Sequence, residues 1–365
     1  MTFDLRSLGW DPYFAGAYAA YDRRGRRPAR VLRVDRGVCT VLGDSGAARA
    51  SLAGSILAAA AADPVVLPCA GDWVVVHTWP DRRLTVESVL PRRTAVVRAS
   101  AGAASHAQVL AANLDVAAVV EPLDPEPDPG RMERLLALAY SSGARPIVIA
   151  TKADLVPRPD DVVAQLAAVA PGVPVHAVSA RTGDGVAQLR SYLPEGGTLG
   201  LLGPSGAGKS SLVNALAGTT VLTTQALRAD GRGRHTTTFR TLIPLPGGGV
   251  VIDTPGIRAV GMIGGDSVPG SGLGGGFGLD RAFADVAALA ARCRFGDCRH
   301  DAEPDCGVRA AIEVGELAPR RLASWRKLMR EQSAESRRRQ DRLAAEAGAS
   351  WAWVPKQERR GRARP

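Results

Sequence analysis

Gly203-Pro-Ser-Gly-Ala-Gly-Lys-Ser210 reads G-x-x-x-x-G-K-S, the spacing of a phosphate-binding loop. Gly203, Gly206 and Gly208 allow the backbone to curl so that successive N–H groups face an anion, with Pro204, Ser205 and Ala207 completing the curl. Lys209 brings a positive charge to the outer phosphates, and the Ser210 hydroxyl suits a magnesium ion bridging them. The flanks agree. Thr198-Leu-Gly-Leu-Leu202 is a short apolar run fit for a buried strand. From Ser211 to Ala217, Leu212, Ala215 and Leu216 recur at helical spacing. A strand, a glycine turn and a helix N-terminus together make an anion site.

Working outward, the alternation of strand and helix continues upstream. Val116–Val120, Pro146–Ala150 and Val173–Val178 read as buried strands, separated by helical patterns over Arg131–Ser142 and Val162–Val169; Val186–Leu193 follows as another helix. That rhythm predicts a mostly parallel sheet covered on both faces. Downstream, Thr238–Pro246 and Gly249–Ile252 read as a hairpin split by three glycines. Residues 29–98 differ: short β-branched runs punctuated by Gly and Pro predict about five strands of a small oligonucleotide-binding-type (OB-like) barrel. Residues 1–28 look irregular, and their aromatics beside Arg23–Arg27 suit either RNA stacking or packing on the next domain. The apolar spacing beyond Leu279 is helical and surrounds a cysteine cluster.

Composition sets the boundaries. The 365 residues suit two or three domains, and 45% hydrophobic content can fill real cores. No apolar run is long enough to cross a bilayer and no signal peptide is evident, so a cytoplasmic protein without membrane partners is expected. Five cysteines are too few for a disulfide scaffold, and the clustering of three of them suggests a metal site; Cys39 and Cys69 read as core residues. Residues 1–100 hold 14 Lys/Arg against 9 Asp/Glu and residues 320–365 hold 14 against 5, while the centre is slightly acidic at 18 against 22. Basic ends around an acidic centre suit an enzyme core carried by polyanion-binding arms; solvated surface in an arginine-rich protein is the alternative.

Two further motifs choose the nucleotide. Thr151-Lys-Ala-Asp154 directly follows a predicted strand and resembles the N-K-x-D guanine motif, with Ala153 as its variable position. The Asp154 carboxylate accepts from guanine N1–H and the 2-amino group, which adenine cannot match. Lys152 can lie over the purine face. Ser179 and Ala180, with Arg181, resemble the loop that supports the base through its backbone. Asp253-Thr-Pro-Gly256 ends another β run: Asp253 can hold magnesium through water, and the Gly256 N–H can sense the γ-phosphate. Together these select GTP over ATP. Thr151 stands where Asn is usual, which predicts a weaker tether between base loop and phosphate loop. The base motif also precedes the phosphate loop, the reverse of ordinary GTPases, so the domain is circularly permuted.

With these pieces in place the chain resembles the RsgA (YjeQ) family of small-ribosomal-subunit biogenesis GTPases over nearly its whole length. Gly231-Arg-Gly-Arg-His-Thr-Thr-Thr238 and the segment from Cys293 to Cys306 are the most specific points of likeness. The resemblance implies late maturation of the small subunit, contact with its rRNA, and GTP hydrolysis stimulated by the subunit. Ile257 occupies the position where a Ras-like GTPase carries its water-orienting glutamine. His235 is the best substitute, an assignment the resemblance shares; an RNA-contacting or loop-capping role is its alternative. Thr237 is the favoured magnesium hydroxyl, with Thr236 and Thr238 not separable from it. Cys293, Cys298, His300 and Cys306 have the spacing of a closed, structural zinc site, which the resemblance supports.

The expected architecture is therefore multidomain: an N-terminal OB-like β-barrel, a central α/β P-loop GTPase domain in permuted order, and a C-terminal zinc-binding α-helical domain. Expected borders are residues 1–28 (extension), 29–100 (barrel), 101–264 (GTPase), 265–278 (Gly-rich loop), 279–347 (zinc-binding helices) and 348–365 (basic tail). Expected cofactors are GTP as substrate, Mg2+ and one structural Zn2+, in a monomeric protein.

Overall fold

The computed structural model describes residues 4–99, 107–222, 240–256 and 277–352. The described part of the N-terminal segment, residues 4–28, is not irregular. A short helix, α1 (Pro12–Tyr18), is capped by Asp11, whose carboxylate accepts from the Tyr13 and Phe14 amides. It is too short for periodicity to reveal. Most aromatics of this segment pack: Phe14 is fully buried, and the Trp10 and Trp73 rings meet edge-on with centroids 4.8 Å apart, while Tyr13 stays exposed.

Five strands close the barrel: β1 (Arg26–Asp35), β2 (Val38–Gly43), β3 (Gly46–Leu52), β4 (Trp73–Thr78) and β5 (Leu84–Val89), in the order β1-β2-β3-β5-β4, with β1 returning to β4. Only β3 and β5 run parallel, and helix α2 (Gly54–Ala62) lies between β3 and β4 in the chain. Val31, Val41, Ala50, Val74 and Val86 fill the interior, and Cys39 is buried with them, as expected. The run Trp73-Val-Val-Val76 lacks alternation because both faces of β4 are covered: Val74 and Val76 face the barrel core, while Trp73 and Val75 join the larger core beyond.

A hairpin of β6 (Ala95–Ala99) and β7 (Ala107–Ala112) leads into the central sheet. That sheet comprises β8 (Val116–Pro122), β9 (Arg145–Thr151), β10 (Val175–Val178), β11 (Thr198–Leu202), β12 (Thr241–Pro244) and β13 (Val250–Asp253), ordered β10-β9-β8-β11-β13-β12. All neighbours are parallel except β12, which pairs antiparallel with β13. Helices α3 (Pro129–Ser141), α4 (Pro159–Val169), α5 (Val186–Leu189) and α6 (Lys209–Ala217) interleave with the strands. Met132, Leu135 and Leu136 of α3 pack on one face of the sheet, and Leu212, Val213 and Leu216 of α6 on the other. The phosphate-loop strand β11 sits between β8, which precedes it in the chain, and β13, which follows. This is how the permuted order keeps an ordinary sheet.

The helical pattern expected over Leu279–Arg292 is two helices, α7 (Phe277–Ala282) and α8 (Ala284–Ala290), broken at Phe283. The pattern expected over 308–347 is likewise α9 (Gly307–Glu313) and α10 (Pro319–Ala352), separated where Gly315 adopts φ 77° and Pro319 starts a new helix. α10 docks on α3 through buried charge. The Glu133 carboxylate, fully buried, accepts from Arg320 at 3.0 Å and Arg321 at 2.9 Å, and Arg321 also pairs with Asp285 of α8. Among the described residues no helix is long and apolar enough to cross a membrane.

Candidate nucleotide site and metal cluster

Parallel strands deliver their following loops to one edge of a sheet, which is where ligands of such folds bind. Here β9, β10, β11 and β13 bring Thr151–Asp154, Ser179–Arg181, Gly203–Ser210 and Asp253–Gly256 to that edge. Four segments spread over a hundred residues thus become neighbours.

The phosphate loop is shaped by close approach as much as by dihedral freedom. Gly206 and Gly208 have φ of 81° and 82°, the left-handed region that glycine tolerates. Gly203 is fixed differently: a Cβ there would lie 2.4 Å from the Val120 carbonyl oxygen of β8. The loop opens directly onto α6, whose first residue is Lys209. Lys209 is buried, and its ammonium donates to the carbonyls of Gly203 at 3.0 Å and Pro204 at 2.8 Å. Burial lowers its pKa to about 8, opposed by the nearby Asp253 carboxylate.

The Ser210 hydroxyl donates to Asp253 Oδ2 at 2.9 Å, joining the two positions expected to serve magnesium. Gly256 lies against Ser205, where a Cβ would come within 2.5 Å of the Ser205 amide nitrogen. Thr254, which the sequence did not single out, ties the Asp253 loop down through its hydroxyl, a donor to the Leu201 carbonyl at 2.6 Å.

At the base end, Asp154 is oriented from two sides. Ser179 Oγ donates to its Oδ1 at 2.6 Å and Arg181 Nε to its Oδ2 at 2.7 Å. The Ser179 hydroxyl first, and the Arg181 guanidinium second, hold its carboxyl below the usual carboxylate range. Lys152 takes a left-handed conformation, φ 60°, and its Nζ donates to the Asp124 carbonyl at 2.6 Å. Asp124 lies in the loop after β8, a partner no motif announces. Ala153 opens a 3-10 turn, and Ala180, Arg181 and Ser211 line a cavity of about 440 Å³ with Asn214 and Thr220. Thr151, buried, donates its hydroxyl to the Ala207 carbonyl at 2.6 Å. The base loop is therefore bonded directly to the phosphate loop, by a hydroxyl in place of an amide. His235, Thr237 and Ile257 lie outside the described residues.

The fourth feature lies between α8 and α9. The ligand atoms of Cys293, Cys298, His300 and Cys306 all fall within 4.8 Å of one another. Cys293 Sγ and Cys306 Sγ are 3.8 Å apart, and each lies 3.5 Å from His300 Nδ1. Tetrahedral zinc with Zn–S of about 2.3 Å and Zn–N of about 2.0 Å requires separations of about 3.8 and 3.5 Å. The four residues fit that ion. His300 sits at φ 62°, and Arg326 of α10 donates to its carbonyl, so the cluster is braced by the long helix.

Comparison with known proteins agrees with this geometry. The family profile described as RsgA GTPase matches residues 89–263. A small ribosomal subunit biogenesis GTPase RsgA of Streptomyces coelicolor is 50% identical over 331 residues, covering 90% of this chain and 86% of its own length. The RsgA of Streptomyces avermitilis is 47% identical over 351 residues, covering 95% and 90%. Among solved structures, YjeQ from Thermotoga maritima superposes with a TM-score of 0.59 at 27% identity, covering 84% of this chain and 98% of its own. YloQ, described as a circularly permuted GTPase, shares the fold with a TM-score of 0.54 at 21% identity, covering 86% and 97%. With this identity over nearly its full length, the chain belongs to the RsgA family of small ribosomal subunit biogenesis GTPases.

Proposed function

We propose that this GTPase binds GTP at the shared edge of β9, β10, β11 and β13, hydrolyses it under stimulation by the small ribosomal subunit, and contacts the subunit's rRNA. The observation that carries the reading is Asp154: a carboxylate held ionised and aimed by Ser179, bonded through Thr151 to a phosphate loop. Guanine offers two donors to such a carboxylate, and a site built around it rejects a base that leaves it unpaired. The family relationship supports the small subunit as partner.

In this reading the N–H groups of Gly206–Ser210 and the Lys209 ammonium hold the phosphates, with Pro204, Ser205 and Ser211 completing the cradle. Ser210, Thr237 and Asp253 would hold Mg2+, which neutralises charge on the β- and γ-phosphates when bound. The Gly256 amide reports the γ-phosphate, and His235 orients the attacking water, because Ile257 has no group to do so. Lys152 and the backbone of Ala153 and Ala180 frame the base. Cys293, Cys298, His300 and Cys306 would hold one structural Zn2+, all four positions taken by protein. The barrel and the basic α10 are the rRNA-contacting parts of a monomeric, cytoplasmic protein, with residues 348–365 as a basic tail. The test is GTP hydrolysis by the purified protein with and without isolated small subunits. Strong stimulation by small but not large subunits is expected; equal slow rates in all three conditions would sink the proposal.

A further inference from the structure

The end of the barrel where β4 turns into β5 carries a surface that nucleotide chemistry does not use. Trp79 follows β4 and is 45% exposed, although tryptophan is ordinarily among the more buried side chains. It is not loose. Its indole Nε1 donates to Thr85 Oγ1 of β5 at 3.0 Å, and the His77 ring packs on it edge-to-face with centroids 4.6 Å apart. The 79–83 turn is closed at both ends: the Trp79 amide donates to the Arg83 carbonyl at 2.9 Å and the Arg82 amide to the Trp79 carbonyl at 2.8 Å. The ring is thus fixed on the barrel wall with part of its surface in solvent.

Arginines flank it along the chain and across the strand pair. Arg82 and Arg83 belong to the same turn. β1 pairs with β4 from Arg26 opposite His77, and the Thr78 amide donates to the Gly25 carbonyl at 2.8 Å, so Arg24 leaves the barrel at the same end as Trp79. Arg24 and Arg82 are exposed and make no ion pair among the described residues; Arg83 pairs only with exposed Asp81.

We infer that Trp79 is a stacking platform for one unpaired base of a single-stranded RNA segment, with Arg24, Arg82 and Arg83 neutralising its phosphates. A rigid aromatic ring beside the unpaired Arg24 and Arg82 suits a ligand that is polyanionic and carries flat π-faces, and its ordering cost is already met in the free protein. Duplex RNA hides its base faces and offers phosphates, sugars and base edges but no face to stack on, so the platform discriminates between the two forms. The inference refines the rRNA partner proposed above, but its test needs no ribosomal particle.

The probes are a fluorescein-labelled uridine oligonucleotide of about twelve residues, within the span of a barrel of this kind, and a fully paired RNA duplex of the same length. Both are titrated into the full-length protein. Trp79→Ala is expected to weaken single-strand binding about tenfold and leave duplex binding unchanged, while Trp79→Phe retains most of it. Arg82→Gln is expected to weaken both and to flatten the salt dependence. Equal affinity of wild type and Trp79→Ala for the single strand overturns the inference, as does equal loss on both probes, which marks a structural role. If Trp79→Ala weakens binding to small subunits but not to either RNA, the surface meets a protein and the inference also falls. A wild type that binds the oligonucleotide through Trp79 yet ignores small subunits would overturn the subunit proposal alone.

Discussion

The Thr151 hydroxyl donates to the Ala207 carbonyl across 2.6 Å, bonding the base-reading loop to the phosphate loop where both are buried. An asparagine at this position would make the link through an amide, so its absence suggested a looser site. The short hydroxyl reaches because residue 151 is still within β9, which holds it beside the phosphate loop. Thr151→Val keeps the shape and removes the donor, leaving a buried carbonyl unsatisfied at a cost of about 1–3 kcal/mol. Nucleotide affinity, measured by calorimetry with GDP, should fall about tenfold.

Asp154 makes a sharper prediction. Asp154→Asn replaces one acceptor oxygen by a donor, which opposes guanine's 2-amino group and suits the 2-keto oxygen of xanthine. GTP binding should drop at least a hundredfold while xanthosine triphosphate gains. Competition between the two nucleotides reads this directly, and a variant still preferring GTP would remove Asp154 from base recognition.

Lys209 should make the stability of the nucleotide-free protein depend on pH. Its folded pKa of about 8 lies below the unfolded value of about 10.4. Between those values the unfolded chain holds a proton that the folded one has lost, so stability rises with pH across that window, by an amount on the order of 3 kcal/mol. Melting temperatures of wild type minus Lys209→Met cancel other titrations. The difference should move in favour of wild type from pH 8 to 10 and stay flat from 6 to 7.

The metal cluster predicts stoichiometry and stability together. Purified protein should contain one zinc per chain by elemental analysis. Cys306→Ser should lose it and melt several degrees lower, since metal binding ties the 293–306 segment between α8 and α9 and its binding energy adds to folding. Full zinc content in Cys306→Ser would place the metal elsewhere.

For hydrolysis, His235→Ala should bind GTP as wild type does yet lose most turnover stimulated by small subunits. Unchanged stimulated turnover would take His235 out of the reaction.

The nucleotide edge was legible because each of its motifs is local: a few adjacent residues at a strand end carry both the chemistry and the position. What joins the motifs was not. Asp124 receives Lys152, and Thr254 anchors to Leu201, through backbone carbonyls that any sequence would supply. The order of the N-terminal segment is hidden in the sequence for a similar reason. Phe14 and Trp10 are ordered by Trp73, some sixty residues away, and not by any repeat of their own. The docking of α10 depends on Glu133, which reads as a solvated helix residue until Arg320 and Arg321 arrive from the other end of the chain.

Arg30 carries a consequence for how the chain can be divided. Its buried guanidinium donates to the carbonyls of Leu8, Gly71 and Asn113 and to the Thr198 hydroxyl, from the N-terminal segment, the barrel, the approach to β8 and the start of β11. No neutral surface residue can reproduce that set. A fragment starting after the barrel would leave the Asn113 carbonyl without that donor and open the buried apolar cluster that Trp73 and Phe14 share with the sheet. The barrel is thus a structural wall of the GTPase as well as its attachment, and a different barrel grafted in its place would need a donor refitted at residue 30.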